Sequence, residues 1–301
     1  MGFFKEIKVM NNIFFESEIK DASPSSAGFH IIPVPYEKSV SYGKGTANAP
    51  AAIINASNQL ETYDQIHGEP CSYGIYTAPA VDCRGEPAAV LQKIREATKD
   101  AVKNGAIPLV LGGEHTVSYG AVMGVVDANP REKIGIVHFD AHADLRESYD
   151  GSIWSHACVM KRLADEELPI FQIGVRAISF EEIATRDLLP EQIKFIDAKT
   201  LCRPTLTHKV VLPENFPQKI YISVDVDVLD GLVFPATGTP VAGGLQFWQL
   251  IDLLESVCEG RKTVGMDLVE FAPNGLHAYD FAVADLAYKM MGIAYRGEFF
   301  Q

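Results

Sequence analysis

The chain has 301 residues, 47% hydrophobic and 22% charged, and carries 26 Lys and Arg against 39 Asp and Glu for a net charge of −13. That length and mix suit a soluble globular protein with one large core. The composition excludes three classes. No run reaches the roughly 18 apolar residues of a membrane span. No basic surplus or stripe marks a nucleic-acid partner. Five Cys, at 71, 83, 158, 202 and 258, include no CxxC pair, which argues against a disulfide framework or a thiolate zinc site.

The opening MGFFKEIKVMNNIFF is broken by Lys5, Glu6 and Lys8, so it is a poor secretory signal, and Glu6 stands where a myristoylation motif needs Ser or Thr. A cytoplasmic protein without membrane attachment is expected, with residues 1–27 peripheral to a single domain spanning 1–301. Short Val- and Ile-rich runs then alternate with helix-like stretches. The runs are FHIIPV (29–34), IPLVL (107–111), IGIVHF (134–139), IFQIGV (170–175), IKFI (193–196), KIYISV (219–224) and KTVGM (262–266). Amphipathic candidates lie at about 48–58, 86–104, 116–127, 156–166, 180–187, 246–258 and 277–292. Several runs are apolar on both faces, as in a parallel sheet covered by helices on both sides. The pattern predicts an α/β fold with three α/β/α layers and a mostly parallel, doubly wound sheet. Residues 67–84 read as loop with one edge strand. In such folds ligands gather beyond the carboxyl ends of the strands.

Three polar clusters follow strand runs and are expected on one rim. GGEHT (112–116) places His115 where a tight Gly turn enters a helix. HFDAHAD (138–144) places Asp140, His142 and Asp144 at i, i+2 and i+4, on one face if the backbone is extended. Such groups at the end of a buried strand are costly unless paired or metal-bound, and carboxylate with imidazole suits divalent Mn, Fe or Zn. His138 is read as a supporting or core residue. SVDVDVLDG (223–231) adds Asp225 and Asp227, again on one face if extended, with Asp230 as a loop-orienting residue. Together these groups exceed what one ion requires. Two ions sharing bridging carboxylates resolve the excess, and such a pair acidifies one water.

GGEHT, HFDAHAD, SVDVD and the later DLVEF, in this order, resemble the ureohydrolase family of arginases and agmatinases over about residues 29–292, as does GKGTANAPAAI (43–53). The resemblance implies an arginase-like fold and two Mn²⁺ per subunit. It implies that His115, Asp140, Asp144 and Asp225 hold one ion and His142, Asp140, Asp225 and Asp227 the other. His156, in WSHACVM, matches the family's active-site His, which passes a proton to the leaving amine. Glu270, in DLVEF, matches the Glu that pairs with the substrate guanidinium, and Asp144 is expected to orient the attacking water. Homo-oligomers, trimers or hexamers, are also implied. Two departures concern a loop: Gly231 stands where the family has Pro, and Ala236 where it commonly has Gly.

The loop LRESYDGSIWSH (145–156) lacks the Asn with which arginases hold an amino-acid end, and WSHACVMKR and EFAPNGLHAYDF resemble agmatinase segments. The expected substrate is therefore a small cationic guanidine, agmatine, giving putrescine and urea. Glu147 and Asp150 are candidates to attract its distal ammonium. Other guanidino substrates (arginine, guanidinobutyrate, guanidinopropionate) and formiminoglutamate are the enzymatic alternatives, with Arg146 or Arg176 as partners for a substrate carboxylate. A non-catalytic metal-binding regulatory relative is the alternative from another class.

Overall fold

The computed structural model describes residues 13–19, 22–203 and 205–296. In chain order the elements are β1 (Phe29–Val34), α1 (Ala49–Ser57), β2 (Ile75–Thr77), α2 (Pro87–Lys103), β3 (Ile107–Gly112), α3 (Val117–Ala128), β4 (Ile134–Phe139), α4 (Val159–Asp165), β5 (Ile170–Ile173), α5 (Phe180–Leu188), β6 (Ile193–Ile196), α6 (Ala198–Cys202), β7 (Lys219–Asp225), α7 (Phe247–Cys258), β8 (Lys262–Val269) and α8 (His277–Arg296). All strands pair in parallel in one sheet of eight, ordered β2-β1-β3-β8-β7-β4-β5-β6. Each expected strand run forms a strand, and the expected edge strand is β2. Among the described residues no helix is long and apolar enough to cross a membrane.

Strand alternation divides the core between the faces. Ile31, Leu109, Val137, Ile222 and Met266 point to the side of α1, α7 and α8. Ile32, Val110, Ile136, Tyr221 and Val264 point to the side of α2, α3 and α4. The central strands are buried along their length, which explains their unbroken apolar sequence.

The connection from β3 to β4 decides where a site can form. It leaves two places in the sheet, later filled by β8 and β7. Chain ends from β3, β8, β7 and β4 therefore face one another at a topological switch point, where open α/β sheets bind ligands. α5 secures the neighbouring loop. Ser179 and Glu182 form a capping box, with Glu182 Oε2 accepting from Ser179 N at 2.8 Å and Ser179 Oγ from Glu182 N at 3.3 Å. Glu182 Oε1 also accepts from Leu145 N at 3.1 Å, tying this cap to the segment after Asp144.

The segment expected to be peripheral contributes to the core. Phe14 and Phe15 are buried, the Phe15 ring packs tilted against Tyr288 of α8 with centroids 4.8 Å apart, and their amides donate to Thr77 and Ser57. Two adjacent aromatics carry no periodic signal, so sequence pattern alone gave them no place. Residues 1–12 and 20–21 lie outside the described residues.

Candidate metal centre

The turn after β3 requires glycine. A Cβ on Gly113 would lie 1.9 Å from Tyr36 O, so the chain passes too close to the β1 loop for any side chain. This approach delivers His115, fully buried, to the rim. The other two clusters converge by a route that differs from the expected extended backbone. β4 ends at Phe139 and Asp144 has φ 53°; β7 ends at Asp225 and Val226–Val228 is a single 3₁₀ turn. Each first Asp organises its own turn. Asp140 Oδ1 accepts from His142 N at 2.5 Å and Asp225 Oδ1 from Asp227 N at 2.8 Å. Asp227 Oδ1 in turn accepts from Ala141 N at 3.0 Å, locking the two loops together.

The result is a compact donor set. His115 Nδ1 lies 3.1 Å from Asp140 Oδ2, 3.2 Å from Asp144 Oδ2 and 3.3 Å from Asp225 Oδ2. His142 Nδ1 lies 2.9 Å from Asp227 Oδ2 and 3.4 Å from Asp140 Oδ1. Asp140 is common to both groups and all four carboxylates are buried. The six residues singled out in the sequence thus meet at one point of the rim.

A hydrogen-bond chain shows what the His115 end accepts. Asp267 takes the proton of Ser223 Oγ at 2.7 Å and of Tyr221 at 2.9 Å. Ser223 Oγ must then accept from His115 Nε2, 2.9 Å away. The remaining nitrogen, Nδ1, is buried without a well-formed hydrogen bond and faces three acceptor oxygens. Burial works against a charged His115, yet Asp140, Asp144 and Asp225 outweigh it and raise the imidazole pKa well above its ordinary value, so in the bare protein a proton on Nδ1 stands where a cation would sit. Imidazole and carboxylate donors fit a divalent first-row cation there, and the His142 group fits a second.

The titration behaviour of the bare residues states the same demand. Burial, and then the Asp140 charge, push the Asp144 carboxyl up to about 7. Burial, then Asp227 and Asp140, hold Asp225 well above its usual range. Burial works against a charged His142, yet Asp227 and Asp140 outweigh it and raise the imidazole to about 12. Four carboxylates out of water call for more positive charge than two imidazoles supply.

His138 lies beside this cluster but is committed elsewhere. Arg186 Nε donates to Gln172 Oε1 at 3.0 Å, and Gln172 Nε2 donates to Ala143 O at 2.7 Å and His138 Nδ1 at 3.0 Å. The proton of His138 is therefore on Nε2, which donates to Asp140 Oδ2 at 2.8 Å. Burial lowers its pKa and keeps the ring neutral. It steers the shared carboxylate instead of binding a cation. Gln172→Leu is expected to weaken divalent-metal affinity roughly 10- to 100-fold by direct titration; unchanged affinity would show that Asp140 needs no such steering.

Glu270 follows β8 in the left-handed region, φ 61°, with its Oε1 accepting from His115 N at 2.7 Å. His156 opens a 3₁₀ turn before α4. Both line a pocket with His115, His142, Asp144, Asp225 and Asp227, closed on one side by Val40–Gly43 and by Thr239. His142, Asp144 and His156 also line an outer cleft of about 470 Å³ with Arg146, Tyr149, Ile178 and Ser179. Sequence reading missed Ser39, Glu114, Gln172 and Asp267. Two stood in plain view inside quoted motifs, Glu114 in GGEHT and Asp267 in DLVEF.

The profile of the Arginase family matches residues 27–292. The chain belongs to the arginase family. It is 35% identical over 294 residues, 95% of this chain and 94% of the relative, to the N(1)-aminopropylagmatine ureohydrolase of a Synechocystis species. It is 30% identical over 292 residues, 94% and 97% of the two chains, to an agmatinase of Pyrococcus horikoshii. The crystal structure of the agmatine ureohydrolase of Thermoplasma volcanium superposes with a TM-score of 0.81 at 26% identity, covering 96% of each chain. This arginase-family chain is a ureohydrolase of a binuclear-metal-dependent family, with the family fold and a His/Asp cluster able to hold metal.

The two departures from the family pattern have local reasons. Gly231 N donates to Val241 O at 3.0 Å, a bond Pro cannot make, and a Cβ there would sit 2.8 Å from Pro240 C. Ala236 is buried and has no positive φ, so glycine is not needed. Asp230 holds this loop, accepting from Leu232, Gly243 and Gly244 amides. Other loop expectations fail. Glu147 is paired with Arg162 at 2.8 Å and Lys161 at 3.0 Å, on the outside. Neither it nor Asp150 lines the pocket or the cleft. Arg176 spends its guanidinium on the carbonyls of Gly174, Asp227, Val228, Leu229 and Val241, so it stitches loops and has nothing left for a substrate carboxylate.

Proposed function

We propose that this chain hydrolyses the guanidinium group of agmatine to putrescine and urea, using two divalent cations, taken to be Mn²⁺. The observation that carries the reading is His115 Nδ1, a buried ring nitrogen within 3.1–3.3 Å of three carboxylate oxygens, beside a pocket that also holds Glu270. His115, Asp140, Asp144 and Asp225 would hold one ion, and His142, Asp140, Asp225 and Asp227 the other. Bound there, the pair supplies Lewis acidity and an acidified water as nucleophile. Glu270 holds the guanidinium by charge-assisted hydrogen bonds and turns its carbon toward the cluster. Asp144, which lines both the pocket and the outer cleft, accepts a hydrogen bond from the attacking water and aims it. Burial lowers the pKa of His156, so its imidazole rests neutral and takes up a proton to deliver to the departing amine. The aliphatic tail leaves along the cleft past Tyr149 and Ile178.

A second reading rests on the cleft itself. Two of its features compete: a volume of about 470 Å³ with room for an aminopropyl extension, as in the substrate named for the Synechocystis relative, and Arg146, 5.4 Å from the Tyr149 ring, which suits a substrate carboxylate. The test is urea release from Mn²⁺-loaded protein offered agmatine, N(1)-aminopropylagmatine, guanidinobutyrate, arginine and formiminoglutamate in parallel. Preferential turnover of agmatine is expected. Preference for the aminopropyl compound or for guanidinobutyrate would reassign the tail site. Metal uptake with no product from any of them would overturn the enzymatic reading.

A further inference from the structure

Glu114 is fully buried beside His115, yet its carboxylate is hydrogen-bonded to Lys38, Ser39 and Thr116, none of them in the metal cluster. Its carboxylate meets four donors. Oε2 accepts from Lys38 N at 2.5 Å and Ser39 N at 2.6 Å; Oε1 accepts from Ser39 Oγ at 2.6 Å and Thr116 Oγ1 at 2.8 Å. The one proton of the Ser39 hydroxyl is thereby committed to Glu114. What remains on Ser39 Oγ is lone pairs. One accepts the His156 backbone N–H at 3.0 Å, and His156 Nδ1 lies 3.2 Å from the same oxygen. Because Ser39 has no second proton to give, Nδ1 must be the donor in that contact.

We propose that Glu114 is a positioning residue that sets the tautomer of His156 through Ser39. With the proton on Nδ1, the neutral imidazole keeps its Nε2 lone pair free to take up the proton that later goes to the leaving amine. The inference rests on the reading of His156 as the proton-transfer group. Ser155 Oγ, 3.3 Å from Nδ1, is the competing partner. It is the longer contact, and a hydroxyl free to rotate can accept from Nδ1 as readily as donate to it. The Ser39 hydroxyl has no such freedom.

An isosteric change gives a sharp test. In Glu114→Gln the Lys38 and Ser39 amides still need an acceptor, so they hold the carboxamide oxygen. The amide nitrogen then faces Ser39 Oγ and donates to it. Ser39 turns its proton onto His156 Nδ1 and the ring is driven to the Nε2–H form. The proton positions are read by long-range ¹H–¹⁵N correlation of ¹⁵N-histidine-labelled protein loaded with diamagnetic Zn²⁺. Activity is read as urea release by the Mn²⁺ form.

The expected result is Nδ1–H for His156 in the parent protein and Nε2–H in Glu114→Gln. Metal content should stay constant, and kcat should fall roughly 10²-fold or more, with KM little changed. Ser39→Ala, which leaves Glu114 its other three donors, should release the ring to a mixture of tautomers, whereas Ser155→Ala should leave Nδ1–H in place. An Nε2–H ring in the parent protein, or an unchanged Nδ1–H ring in both Glu114→Gln and Ser39→Ala, overturns the proposal. An inverted tautomer with undiminished kcat supports the Glu114 assignment and overturns instead the role of His156 in proton transfer. If Glu114→Gln fails to fold, Ser39→Ala decides alone by the same spectrum.

Discussion

Asp225→Asn is expected to cost the enzyme several orders of magnitude in urea release while making the metal-stripped protein more stable. The two effects have one cause. Asp225 sits at the end of β7, 3.3 Å from His115 and buried, with Asp227 and Asp140 as neighbours. Burial and those two charges raise its folded pKa far above the unfolded value of about 3.9. A carboxyl raised in this way binds protons more tightly in the folded state. Stability therefore falls as pH rises from about 3.9 toward the folded pKa, so by neutral pH the stripped protein has lost stability that it had in acid. Asn has the same shape, still accepts from Asp227 N, and brings no charge, so a gain of about 1–2 kcal/mol is expected in denaturant unfolding after chelation. On the proposed function the same change removes a carboxylate that would help hold the cations, so added Mn²⁺ should stabilise the variant far less than the parent. A variant that is less stable when stripped, or that keeps its metal and its activity, would remove Asp225 from the centre.

The sheet and the rim were legible because burial wrote them into the sequence. Strands covered on both faces read as unbroken apolar runs, and polar groups at their ends stand out against that background. Asp140, His142, Asp144, Asp225 and Asp227 were found for this reason. The argument that placed them on one face was nonetheless the wrong geometry. Asp140 and Asp225 each fold the next residues into a turn by accepting a backbone amide two positions on, and alternation cannot reveal that. His115 looked ordinary until Ser223 and Asp267, on neighbouring strands β7 and β8 in register, fixed its proton. Ser39 and Glu114 were invisible for a related reason: their meaning lies in a contact between residues 75 positions apart. Arg176 shows the opposite error. An arginine near a site reads as a substrate partner, and only the carbonyls around it reveal that it is already used. The N-terminal aromatics were likewise hidden, since burial of Phe14 and Phe15 depends on α8, far along the chain.

Glu270→Gln is expected to keep both metals and lose the substrate. The carboxamide oxygen replaces Oε1 as acceptor for His115 N, so the turn that carries His115 survives. The amide nitrogen replaces the second oxygen and presents hydrogens to a guanidinium that also has only hydrogens to offer. Loss of a charge-assisted contact of about 1.5–3 kcal/mol, with donor set against donor, should lower kcat/KM roughly 10²-fold or more. A pH signature separates this from general damage. Burial first, then the Glu114 charge, push the Glu270 carboxyl up to about 8, against the opposing His115 amide. Bound cations nearby pull in the other direction, so about 8 is the upper edge of the window. Below the carboxyl's own pKa in the metal-loaded protein, which lies under that edge, a guanidinium must displace a proton from Glu270 as it binds. Affinity for a guanidine should then rise with pH through the window, and binding near neutrality should release protons, seen as a calorimetric enthalpy that changes between buffers of different ionisation enthalpy. In Glu270→Gln both the pH slope and the buffer dependence should vanish while metal content stays constant. Proton release that persists in the variant would assign that titration to another group and leave Glu270 without a part in holding the substrate.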